Sequence, residues 1–363
     1  MKSKNGMFIA CVTFSMLVFD AASQCSRKPV IFNFGDSNSD TGGLAAAMGY
    51  EFGYPDGRAF FHRPTGRLCD GRLIIDFLCE NVKSNYLSPY LESLEADFSN
   101  GANFAIAGSA TLPKYVAFSL NIQILQFRRF HNHSLRLQSQ GHKNLVGEEG
   151  FKNALYMIDI GQNDLTAAFN NFPYDQVLLK IPSFISEIKE AMWDIHILGG
   201  KNLWVHNTGP LGCLPEKLGS LKPNTSQVDQ YGCIASMNDA SKAFNSQLRD
   251  LCQQLRDQMK NMTIVYVDVY SIKYSLIANS STYGIKNPLM ACCGHGGAPY
   301  NFDPEKKCRD AGFDLCKEGA GARPYVSWDG VHYTEAANTI VASAILSTKY
   351  STPNLPFTFF CIN

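Results

Sequence analysis

The sequence predicts an α/β fold: a parallel sheet covered by helices on both faces. Five short apolar runs, at residues 30–34, 103–107, 155–160, 203–206 and 264–269, are each followed by turn residues, the mark of buried parallel strands. Helical patterns fall between them, and strand–helix alternation implies a parallel sheet sandwiched by helices. No repeat, low-complexity tract or long linker interrupts the 363 residues. Residues 24–363 are therefore expected to form one domain with elaborated loops.

Along the chain, each element has its own justification. Lys2 and Lys4, an apolar run over residues 7–19 and then Ala21, Ala22 and Ser23 follow the charged, apolar, small-residue order of a secretory signal peptide. Residues 1–23 are expected to be removed, since a run of about 13 residues is too short to span a bilayer. One helix carries Val177, Ile181, Phe184, Ile188, Met192 and Ile195 at steps of three and four; another carries Ile234, Met237, Ser241, Phe244, Leu248, Leu251 and Leu255. Both stripes are core-packing faces. A last helix is expected to start at Thr334, a good N-cap, and to run through Leu346. The stretch 287–324 is rich in Gly, Pro and Cys with no sustained period, and is expected to be a disulfide-held insertion.

Composition narrows the function. Lys plus Arg equals Asp plus Glu at 32 each, which leaves no basic footprint for nucleic acid or an anionic membrane surface. No later stretch is apolar enough to span a bilayer, and the C-terminal end is too short for a GPI signal. The mature chain is expected to be secreted, to the apoplast or cell wall. Of twelve cysteines, only Cys11 lies in the leader. An oxidising compartment then makes four or five disulfides the expectation, with at least one free thiol or an intermolecular bond left over. Cys292, Cys293, Cys308 and Cys316 lack the paired C-x-x-C spacing of a zinc site, so no metal is expected. Asn132, Asn224, Asn261 and Asn279 each open an Asn-x-Ser/Thr sequon, a candidate glycan site in a secreted chain.

Ligands of open parallel sheets gather at the carboxyl ends of the strands. After the first run stand Gly35, Asp36, Ser37, Asn38, Ser39 and Asp40; after the second, Gly108 and Ser109; after the third, Gly161, Gln162, Asn163 and Asp164. Near the C-terminus stand Ser327, Trp328, Asp329, Gly330, Val331 and His332. A serine hydroxyl needs a base within reach, and His332 is a candidate because imidazole titrates near working pH. Asp329, three residues earlier, can hold the other ring nitrogen. The Ser37 and Gly108 N–H groups and the Asn163 amide are neutral, directed donors suited to an oxyanion. Taken singly, each has an ordinary reading: a helix cap, a surface ion pair, a turn former. Their order, at successive strand ends and before the last helix, is what makes a catalytic set.

These blocks resemble the GDSL esterase/lipase family, or SGNH hydrolases, and in particular its secreted plant branch. Residues 32–42, Asn103 through Gly108, residues 161–164 and Asp329 to His332 match its ordered blocks, and Cys213-Leu214-Pro215 and Cys292-Cys293-Gly294 extend the likeness over the mature chain. The resemblance implies a flavodoxin-like three-layer α/β/α sandwich with a parallel sheet of about five strands. It also implies ester hydrolysis through an acyl-enzyme, without metal or cofactor. Ser37 would be the nucleophile, His332 the base and Asp329 its orienter, with Ser37 N–H, Gly108 N–H and Asn163 as the oxyanion hole. Asn38 stands where the family's letters have Leu. No G-x-S-x-G elbow is present, which argues against the α/β-hydrolase class.

Asp36, Asp40 and Asp164 read as structural carboxylates that accept loop N–H groups. The alternative is a glycan-active hydrolase, with two of them as acid and base on a glycoside, or an acyltransferase on the same scaffold. A secreted binding protein with a relic site would have little reason to keep the whole set. The expected substrate is a small-molecule or polysaccharide-linked ester, with short or medium acyl groups because no lid helix is evident.

Overall fold

The computed structural model describes residue 25 and residues 27–317 and 324–361; the expected signal peptide lies outside them. The chain runs β1 (Ile31–Gly35), α1 (Gly43–Met48), α2 (Ile74–Asn81), β2 (Gly101–Asn103), α3 (Leu120–Ser139), α4 (Glu148–Asn153), β3 (Leu155–Asp159), α5 (Gln162–Asn171), α6 (Tyr174–Ile197) and β4 (Asn202–His206). It continues through α7 (Pro215–Leu221), α8 (Ala235–Gln258), β5 (Thr263–Val267), α9 (Val269–Ala278), β6 (Cys293–Gly294), β7 (Asp314–Leu315), α10 (Glu335–Leu346) and β8 (Ser351–Thr352).

The sheet order is β2-β1-β3-β4-β5-β8. The first five strands pair in parallel, and the short β8 closes the β5 edge antiparallel. Alternate residues of each strand point to opposite faces. Phe32, Phe34, Tyr156, Ile158, Leu203, Val205 and Ile264 enter one buried cluster with the apolar stripes of α3, α6 and α8. Ile31, Leu155, Met157, Trp204, Val265 and Val267 enter a second with α2, α9 and α10. Both faces are therefore covered, which gives the expected three-layer α/β fold. Thr334 caps α10 as its sequence suggests, its hydroxyl accepting from Ala337 N at 3.1 Å.

One strand departs from expectation. The run 103–107 is not regular strand: β2 ends at Asn103, where the run was expected to begin. Asn103 Oδ1 accepts from Ala105 N at 3.0 Å, a side-chain bond that competes with the ladder. The backbone still follows β1, with Phe104 N donating to Asn33 O at 2.8 Å and Ile106 N to Gly35 O at 3.2 Å. Apolar character marked the burial of this segment but not its local turn.

After β1 the chain goes outward to β2 and then returns past β1 to β3, so the sheet order reverses beside β1. Ligand sites of open α/β sheets lie beside such a reversal, at the strands' carboxyl ends. Gly35 ends β1 beside the end of β3, where a Cβ would meet Asp159 O at 2.3 Å; only glycine allows the two strand ends so close.

Four disulfides join Cys25–Cys361, Cys213–Cys233, Cys292–Cys316 and Cys293–Cys308. Cys69, Cys79 and Cys252 are buried thiols. The four cysteines of the 287–324 stretch are thus two crosslinks. Among the described residues no helix is long and apolar enough to cross a membrane.

The Cys25–Cys361 bond ties residues 336 positions apart, so it restricts the unfolded chain strongly. The double variant Cys25→Ser/Cys361→Ser is expected to lose about 2–5 kcal/mol of unfolding free energy in guanidinium titrations.

Candidate active site

The turn after β1 is held by its own carboxylates. Asp36 Oδ1 accepts from Asn38 N and Asn38 Nδ2, both at 2.9 Å. Asp40 is 2% exposed, and its oxygens accept from Gly42 N at 2.8 Å, Gly43 N, Leu44 N at 3.0 Å and Ala107 N at 2.7 Å. It therefore caps the start of α1 while binding the segment after β2 to the turn. Ser37 lies between these two carboxylates and is 6% exposed.

Gly108 follows that segment, with φ +83°. Among the described residues, the N–H groups of Ser37 and Gly108 donate to no protein acceptor. Asn163, in the first turn of α5, donates from Nδ2 to Ser109 O at 2.9 Å. That bond fixes the plane of its amide against the Gly108 loop. Asp164 is fully buried and accepts from Thr111 N at 3.0 Å and Thr111 Oγ1 at 2.7 Å. Burial pushes its carboxyl up to about 6, against the Thr111 bonds that draw it down. Asp36, Asp40 and Asp164 thus hold loops, as their spacing suggested.

Gly161 begins α5 at φ +125°, and a Cβ there would meet the Phe244 ring at 2.4 Å. Both the turn and the packing against α8 require glycine.

The histidine comes from the segment just before α10. Asp329 Oδ2 lies 2.7 Å from His332 Nδ1, and Asp329 Oδ1 accepts from His332 N at 2.9 Å and Val331 N at 3.0 Å. The side chains are 11% and 12% exposed. Burial would raise the Asp329 carboxyl, but the charge and hydrogen bonds of His332 outweigh it and hold it well below the usual carboxylate range. Burial would lower His332; the charge and hydrogen bond of Asp329, with the Asp36 charge, outweigh it and raise His332 above the ordinary imidazole value. The Ser37 hydroxyl makes no hydrogen bond to His332 in this structure, and such contacts often tighten only when substrate binds.

The disulfide-held stretch supports this segment. Cys292 N donates to Ser327 O at 2.9 Å and Cys293 N to Trp328 O at 2.7 Å, while Trp328 N donates to His332 O at 2.7 Å. Trp328 is fully buried and donates from Nε1 to Asp56 Oδ1 at 2.9 Å. Glu216 N, at the start of α7, donates to Gly330 O at 3.0 Å.

Sequence reasoning missed Gln123. From α3 its amide pairs with the Gly35 backbone, accepting from Gly35 N at 2.9 Å and donating to Gly35 O at 2.8 Å, and also donates to Ser109 Oγ at 3.1 Å. A glutamine in the middle of a helical pattern gives no sign of this, because its partners lie 88 and 14 residues away.

Comparison with known proteins agrees with this architecture. A family model described as GDSL-like lipase/acylhydrolase matches residues 31–345. The chain is 52% identical to the GDSL esterase/lipase LIP-4 of Arabidopsis thaliana, over 98% of this chain and 96% of that one. It is 42% identical to an esterase of Hevea brasiliensis, over 98% and 93%, and 42% identical to alpha-L-fucosidase 3 of Arabidopsis thaliana, over 94% and 96%.

Asp40→Ala would strand N–H groups from both the α1 cap and the Ala107 segment, at about 1–3 kcal/mol for each buried donor. The variant is expected to lose about 3 kcal/mol or more of stability, as urea unfolding would measure.

Proposed function

Given that the chain belongs to the GDSL-like lipase/acylhydrolase family, we propose that it hydrolyses carboxylic esters through an acyl-enzyme on Ser37. The observation that carries the reading is the half-buried Asp329–His332 pair at 2.7 Å, together with a serine turn whose own N–H is unengaged. His332 Nε2 takes the Ser37 proton as Oγ attacks the ester carbonyl, and Asp329 stabilises the imidazolium. The negative oxygen that forms is met by the N–H groups of Ser37 and Gly108 and by the Asn163 amide, each donor being worth about 3–4 kcal/mol in the transition state. His332 then protonates the leaving alkoxide, and water repeats the cycle on the acyl-enzyme.

A glycosidase would need two carboxyls free to act on a sugar bond. Asp40 and Asp164 are instead engaged by backbone N–H groups, so the ester reading is favoured. The substrate we propose is a small-molecule or polysaccharide-linked ester met outside the cell. The leader-like N-terminus and four disulfides support secretion. Asn132, Asn224, Asn261 and Asn279 are all exposed, which suits N-glycosylation of residues 24–363 as one secreted domain.

Ser37→Ala is expected to lower kcat on p-nitrophenyl acetate and butyrate by at least about 10⁴-fold, and a phosphonate should label Ser37 in the wild type. Hydrolysis that survives Ser37→Ala would remove the serine from the mechanism.

The pH dependence has a definite sign. His332 must be neutral to act as base, and its neighbouring carboxylates raise its pKa above the ordinary imidazole value, so kcat/KM should rise with pH with a midpoint above that of a free imidazole. A flat profile between pH 5 and 9 would contradict a histidine base.

A further inference from the structure

Behind the serine turn lies a buried charged cluster that the ester mechanism leaves without a role. Lys273, on α9, is 3% exposed. Its Nζ donates to Asn38 Oδ1 at 3.3 Å and lies 4.3 Å from the centroid of the Tyr333 ring. The other end of the Asn38 amide donates to Asp36 Oδ1 at 2.9 Å. Asn38 is thus a two-ended link, its oxygen facing an ammonium and its nitrogen a carboxylate, with the nucleophile position between Asp36 and Asn38. Buried ammonium groups are costly and persist where they are paired or have a use. An amide at position 38 supplies both a donor and an acceptor; a leucine supplies neither.

We propose that Lys273 is a positioning residue for the nucleophile, acting through Asn38 to hold the Asp36–Asn38 turn in the shape that presents Ser37. This rests on the reading of Ser37 as nucleophile. Charge complements the geometry. Asp36 is fully buried, and its Oδ2 has no hydrogen-bond partner among the described residues. Burial and the Asp159 charge push its carboxyl up to about 7, while the Asn38 bonds and the Lys273 charge draw it down.

The surrounding groups are identifiable. Asp159, at the end of β3, lies 3.2 Å from His206 Nδ1, and His206 Nε2 accepts from Trp204 Nε1 at 3.0 Å. That places the His206 ring hydrogen on Nδ1, facing Asp159. Tyr333 contributes its ring face to Lys273. His332, Asp329 and Arg309 complete the set on the histidine side.

The consequence for pH has a sign. Without the Lys273 charge, Asp36 takes up a proton at higher pH, and a protonated Asp36 is a weaker acceptor for the two Asn38 N–H groups. Loss of the Asp36 charge also lowers His332, so the two titrations separate. The acid limb of activity, governed by the higher of the two, moves up.

Lys273→Met, Asn38→Leu and the double variant should be compared with wild type on p-nitrophenyl acetate from pH 5 to 9. Ser37→Ala serves as the inactive control, and thermal melts report folding. We expect Lys273→Met to lose about tenfold or more in kcat with KM within threefold, and its acid limb to rise by about one pH unit, the scale of a lost neighbouring charge. Asn38→Leu should show the same kcat loss, and the double variant should be no worse than either single one, because both cut one linkage. A folded Lys273→Met with wild-type kcat and an unmoved acid limb would overturn the proposal. Where Lys273→Met does not fold, Asn38→Leu decides at its half-buried position, and full activity there overturns it equally. Activity that survives Ser37→Ala would instead mark failure of the serine mechanism itself.

Discussion

A single carboxylate can satisfy several backbone N–H groups at once, and the carboxyl end of this sheet depends on Asp40 doing so. Its oxygens take the N–H groups that begin α1 and, from the segment after β2, the N–H of Ala107. Two loops that leave neighbouring strands are thereby fixed to each other, and Ser37 and Gly108 come with them. Nothing in the core would do this, because apolar packing below the strand ends is indifferent to how the loops above them are disposed. Gln123 adds a second clamp from α3 by bonding Gly35 on both its N–H and its carbonyl.

The histidine side is solved by different means. The segment from Ser327 to His332 has no regular element of its own, yet its imidazole must be held in one orientation. Cys292 and Cys293 supply backbone bonds to Ser327 and Trp328, and disulfides to Cys316 and Cys308 restrict the stretch from which those bonds come. The crosslinked stretch thus splints the loop that carries His332. Trp328, buried against Asp56, anchors the same turn from below.

Charge balance between the serine turn and the histidine segment follows from burial and partners. Asp329 is kept ionised by its imidazole partner, while Asp36, with less compensation, is pushed up towards neutrality. Two carboxylates at one end of one sheet therefore have opposite tendencies, set by partners rather than by residue type. His332 is raised by the carboxylates near it, which strengthens it as a base at the expense of a lower neutral fraction at acidic pH.

The sequence by itself determined the layers and most of the site's inventory. Apolar runs of strand length, helical stripes at steps of three and four and the capping threonine are local patterns, and locally encoded features survive into the fold. The candidate residues at positions 37, 108, 163, 329 and 332 are picked out in the sequence by their places after the apolar runs or before the last helix. The extent of β2 was not legible, since an Asn103 side-chain bond, invisible to hydrophobic pattern, ends the strand early. The disulfide partners, the Gln123 clamp and the Lys273–Asn38 link were decided only by tertiary structure. Lys273 and Asn38 are separated by 235 positions, and a lysine in an apolar helical stretch announces neither its burial nor its partner until the sheet brings α9 beneath the serine turn.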